Sequence, residues 1–167
     1  VYIDDFTTTG GITNISNTAS GYSTGGYGDF RTQSITGLYQ TQSFDVTVNL
    51  NSYGVSYYFW VDWNNDLVFD NTEFAGSPLA GSAGTGTTTI TIPAGQTAGD
   101  YVLRAVLINP PSSPRPNPCS SIAYGEFEDY TISVASPPNC IEPSALVSTN
   151  VTATSADINW TVGGTET

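Results

Sequence analysis

The stretch VSYYFWVDWNNDLVFDNTEF, residues 55–74, changes character half-way along. Side chains alternate between the two faces of a β-strand, so Tyr57, Phe59, Val61 and Trp63 share one face and Tyr58, Trp60 and Asp62 the other. Large apolar residues occupy both faces, as in a strand inside a sheet that is covered on each side. YVLRAVLI, residues 101–108, has the same composition. These two segments predict the spine of the fold, with Asp62 emerging where strand gives way to loop.

Working outward, SFDVTVNL (residues 43–50) alternates Phe44, Val46, Val48 and Leu50 against polar neighbours, the mark of a strand with one buried face. TTTITIP (87–93) repeats this with Ile90 and Ile92, and YTISVA (130–135) with Tyr130, Ile132 and Val134. No window carries apolar residues at helical spacing, and Gly, Asn and Pro punctuate the chain. The pattern predicts an all-β protein, an antiparallel β-sandwich of jelly-roll or Ig-like type. SPPNCIEP, residues 136–143, is a proline-rich break that divides a domain at 1–136 from a linker and short second segment at 137–167. The latter reads as two strands with Leu146, Val151, Ile158 and Trp160 as core candidates.

The 167 residues include 15 acidic side chains, three arginines and no lysine or histidine, a net charge of −12. Nucleic acid and anionic membranes are poor partners, because phosphate binding needs basic groups. No run approaches the roughly 20 apolar residues of a membrane span, and no leader precedes Val1, which suits a mature or excised fragment. Richness in Thr, Ser, Tyr and Asn without lysine suits an exported protein, secreted or at the cell surface, and self-repulsion favours a monomer. Cys119 and Cys140 pair with each other or with cysteines elsewhere. Without histidine, or a nucleophile partnered by a base, enzymatic activity is not expected.

Asp62, Asn64, Asp66, Asp70 and Glu73 fall at the first, third, fifth, ninth and twelfth places of a twelve-residue loop. Calcium takes six to eight hard oxygen ligands, and alternate positions of a tight loop aim oxygens at one centre. Ca2+ is the expected cofactor, with the Val68 carbonyl at the seventh place. Leu67 stands sixth, where glycine usually permits the sharp turn, and the flanks are strand, so this is not an EF-hand. The alternative is an Asx-rich turn whose side chains satisfy their own backbone.

A second acidic cluster is YGEFEDY, residues 124–130. Alternation puts Glu126 and Glu128 with Tyr130 on one face, and Phe127 and Asp129 on the other. Paired carboxylates could serve glycosidic acid–base chemistry, bind a cation, or pair one of the glutamates with Arg104.

PCSSIAYGEFEDYTISV, VDWNNDLVFDNTEF and YVLRAVLI together resemble the GEVED domain of secreted proteins of Bacteroidetes-type bacteria. The motif stands as Gly125, Glu126, Phe127, Glu128 and Asp129, with Phe127 for the usual Val, and Asp66-Leu67 replaces the usual Asp-Gly. The openings YIDDF, GITNIS and GYGDF extend the resemblance over residues 1–136. The tail PPNCIEPSALVSTNVTATSADINWTV resembles the start of a fibronectin type III domain. The resemblance implies a β-sandwich module strung beside neighbouring domains of the same chain in a large exported protein.

Two functions fit this sequence. One is a carbohydrate-binding module, using aromatic rings as stacking platforms for a neutral or weakly acidic polysaccharide. Tyr39, Tyr53 and Tyr58, with Arg115 in the polar loop INPPSSPRPNP (108–118), are its candidate ligand residues. The other is a structural or adhesive spacer in which calcium only stiffens the loop.

Overall fold

The computed structural model describes residues 1–50, 54–78, 84–111, 114–138 and 144–161. The chain forms two compact units, Val1–Ser136 and Pro137–Thr167. In the first, β2 (Ser16–Thr18), β1 (Asp5–Thr9), β4 (Ser43–Leu50) and β7 (Gly84–Thr91) form a four-stranded sheet in that order. A five-stranded sheet runs β3 (Tyr27–Leu38), β9 (Gly125–Val134), β8 (Gly99–Ile108), β5 (Ser56–Val61) and β6 (Phe74–Gly76).

The inward sets of both sheets make one core. Phe6, Phe44, Val46, Val48 and Ile90 from the first, with Ile92 just beyond β7, meet Tyr57, Phe59, Leu103, Tyr130 and Ile132 from the second. Phe6 stacks on Tyr130 with ring centres 4.0 Å apart. The fold is therefore the expected β-sandwich. One pairing departs from the antiparallel expectation: β3 runs parallel to β9, so β9 is interior to its sheet.

Strands β5 and β8 are largely apolar on both faces because the outer face is covered too. Trp60, Phe69 and Val106 are buried there, with Tyr58, Val102, Ile122 and Phe127 packed against them. Phe69 belongs to the acidic loop and Ile122 to the segment before β9. Two irregular segments thus lie over the outer face, and the functional candidates sit on them.

In the second unit β10 (Ser144–Thr149) pairs antiparallel with β11 (Asp157–Thr161). The core expected of this segment is not formed: Leu146, Val151, Ile158 and Trp160 are all exposed. A two-stranded sheet has no second layer to bury a face against.

Candidate functional site

Strand β5 runs directly into the acidic loop. Asp62 is fully buried; its Oδ1 accepts the Asp66 N–H at 3.1 Å and its Oδ2 the Leu67 N–H at 3.0 Å. Asn64 Oδ1 also accepts from Asp66 N–H, at 2.9 Å, and Asp66 Oδ1 accepts from Val68 N–H at 2.8 Å. Such successive Asx turns wind the chain tightly, and Asn65 and Leu67 are driven into left-handed backbone, with φ of 57° and 66°.

Asp70 caps a 3-10 turn at Asn71–Glu73, accepting the Thr72 N–H at 2.7 Å. Glu73 reaches back to the N–H groups of Asp70 at 3.2 Å and Asn64 at 3.4 Å, completing a capping box. Burial raises the Glu73 pKa, with the charges of Asp62 and Asp70 adding to it against the two backbone donors.

These side chains are turned onto backbone donors rather than onto one centre. Among the described residues, no group of three or more His, Cys, Asp or Glu is placed to hold a metal ion. The donor chemistry nevertheless suits a hard cation: four carboxylates and an amide lie within one turn, and each carboxylate keeps at least one oxygen with a further lone pair, although Asp70 Oδ1 already accepts from both the N–H and the hydroxyl of Thr72.

The cluster on β9 has a different role. A Cβ at Gly125 would collide with the Leu107 carbonyl oxygen, so glycine lets β9 close on β8. Glu126 is buried and accepts the Ile3 N–H at 2.7 Å and the Ser23 N–H at 2.6 Å, tying the N-terminal segment to the sheet. Glu128, also buried, accepts the Tyr130 hydroxyl at 2.7 Å. Burial pushes its pKa up to about 8, with the Glu126 and Asp4 charges contributing.

Arg104 pairs with Asp129, not with either glutamate. The two are register partners on β8 and β9 and share the outer face, whereas Glu126 and Glu128 point inward. Arg104 also donates to the Pro118 carbonyl at 3.0 Å and lies 4.4 Å over the Phe69 ring. One side chain thereby joins the sheet, the acidic loop and the proline-rich loop.

Between those two loops lies an open cleft of about 810 Å³, walled by Tyr58, Phe69, Asp70, Asn71 and Phe74 on one side and residues 114–118 on the other. The Arg115 guanidinium sits 4.0 Å over the Phe74 ring, and its Nη2 donates to Asn71 Oδ1 at 3.1 Å. Arg115 Nε is shielded from solvent and has no hydrogen-bond partner among the described residues.

Residues 56–133 match the GEVED domain family. No curated protein matches the chain. The matched segment begins with β5 and ends one residue short of the last of β9, so it contains the acidic loop, the cleft and the Gly125–Asp129 motif.

Of the predicted ligand residues, Tyr58 and Arg115 line the cleft. Tyr39 does not; it follows β3 and its N–H donates to Gln42 Oε1 at 3.0 Å. Tyr53 and Cys140 lie outside the described residues, and Cys119 is a free, exposed thiol. Asn71 and Phe74 in the cleft wall were not foreseen, although both flank the loop-closing Glu73.

Proposed function

We propose that this is a non-catalytic carbohydrate-binding accessory module of a secreted multidomain protein, stabilised by calcium. The observation that carries the reading is the shared wall: Asp70 and Asn71 belong to the acidic loop and also line the cleft that holds Tyr58, Phe74 and Arg115. Aromatic rings stack on the C–H faces of sugars, while amide and guanidinium groups bond hydroxyl or carboxylate oxygens. Arg115 has donors beyond the one given to Asn71. With a net charge of −12, the module repels polyanions, so neutral or weakly acidic polysaccharide is the ligand class.

Calcium would be held by Asp62, Asn64, Asp66, Asp70 and Glu73 with the Val68 carbonyl. It would neutralise the carboxylates and fix the loop that forms one wall of the cleft. Retention on gels containing neutral and uronic-acid polysaccharides, with calcium supplied, tests the function. Retardation that is lost in Tyr58→Ala supports it; free migration on every gel points instead to a spacer.

A further inference from the structure

Three hollows lie in a row across the outer face of the five-stranded sheet. The first is the cleft of Tyr58 and Arg115. The second, about 240 Å³, has Pro118 in common with it and is floored by Arg104 and Phe127. The third, about 410 Å³, shares Tyr27, Ser121 and Phe127 with the second and is rimmed by Tyr2, Tyr22, Tyr27 and Tyr124.

The third hollow is rich in aromatic rings, with Phe127 beside the four tyrosines. Tyr22, Tyr27 and Tyr124 are 57%, 43% and 72% exposed, and the fold brings Tyr124 beside the neighbouring pair Tyr22 and Tyr27 from a segment distant in sequence. Large rings left in water in one place mark a binding surface. No acidic or basic side chain lines this hollow; Glu126 and Asp129 nearby are committed to the Ile3 and Ser23 N–H groups and to Arg104. Tyr27 is held in place beforehand, since its hydroxyl donates to Asp129 Oδ2 at 2.8 Å, which lowers the ordering cost of stacking.

We infer that the three hollows form one groove for an extended, uncharged or weakly charged polysaccharide chain, with Tyr22, Tyr27 and Tyr124 as a second stacking platform opposite the Tyr58 and Phe74 end. This rests on the carbohydrate reading above and adds to it a chain-length requirement. Uncharged rings interleaved with the Ser121 and tyrosine hydroxyls suit sugar residues, and the central hollow is stiffened by the bonds of Arg104 to Asp129 and Pro118.

The test is calorimetric titration with cello-, xylo-, manno- and laminari-oligosaccharides from disaccharide to hexasaccharide, calcium present, and with a proline-rich decapeptide as control. At least one sugar series should bind about tenfold or more tightly as the hexasaccharide than as the disaccharide. The Tyr22→Ala/Tyr124→Ala pair should erase that gain and leave the disaccharide affinity unchanged, while Tyr124→Phe, which keeps the ring, should retain it. A gain that survives the double variant, or equal affinity for long and short chains, overturns the groove while leaving the Tyr58 cleft intact. Binding of the decapeptide at these tyrosines without any hexasaccharide gain also overturns it. No binding by any sugar series removes both this inference and the function it rests on.

Discussion

Arg104 meets Asp129 at two points, Nε to Oδ1 and Nη2 to Oδ2, both at 2.7 Å. The carboxylate side chain is only 5% exposed. Removing one partner of such a pair leaves the other charge buried and alone, which costs about 3–5 kcal/mol. Arg104→Ala should therefore destabilise strongly in urea unfolding, whereas a double change of Arg104 and Asp129 to apolar residues of like volume should recover much of that loss. Equal losses for the single and double variants would contradict the pairing.

Glu128 makes stability depend on pH. Its folded pKa of about 8 lies above the ordinary glutamate value of 4.5, so between those limits the folded chain binds a proton that the unfolded chain has released. Stability is full below the lower limit and falls as pH rises toward the upper one. Each unit of displacement corresponds to about 1.4 kcal/mol. Glu73, also raised, acts in the same direction, so the informative quantity is the difference between wild type and Glu128→Gln. The variant should gain on wild type steadily from pH 5 to pH 8, as read from urea midpoints; a constant difference would refute this.

Leu67 has φ of 66° and is 77% exposed. A left-handed leucine costs roughly 1–2 kcal/mol, and exposure means that little packing is lost with it. Leu67→Gly should raise the melting temperature by a few degrees despite the freer unfolded chain. A lower melting temperature would show that the turn is held by the leucine side chain itself.

Gly125 is the motif position with no room for a side chain. Gly125→Ala forces β9 away from the Leu107 carbonyl oxygen and should cost on the order of 3 kcal/mol or prevent folding. Gly25→Ala would separate strain from crowding: its φ is 79° but a Cβ there meets nothing within 4 Å, so it should cost only about 1 kcal/mol.

Much of the sandwich was legible because period-two alternation is a local signal. Phe44, Val46, Val48, Ile90, Ile92, Tyr130, Ile132 and Val134 all turn inward as their spacing implies. The two-faced segments VSYYFWV and YVLRAVLI are neighbours in the middle of one sheet. The parallel pairing of β3 with β9 was not legible, since strand direction depends on how the chain returns and not on side-chain spacing.

The partner of Arg104 was misjudged for a related reason. Alternation along β9 separates Glu126 and Glu128 from Asp129, but which face Arg104 shares depends on the β8–β9 register, a long-range property. The grouping of Tyr58 with Arg115 was legible only as residue types suited to sugar. Their meeting depends on the proline-rich loop folding back over Phe74, and Tyr39, chosen by the same criterion, lies elsewhere.

The acidic loop is where the account is most directly tested, by thermal unfolding of the wild type and of Asp70→Asn in calcium and in chelator. Asn retains the cap on the turn, so the variant should match wild type in chelator. Calcium at about a hundredfold excess over its Kd should stabilise wild type by about 2.7 kcal/mol, seen as a melting temperature several degrees higher, and should stabilise the variant less. An unchanged wild-type transition in saturating calcium would contradict the claim that a cation fixes the wall of the cleft, and would leave the loop as a self-bonded Asx turn.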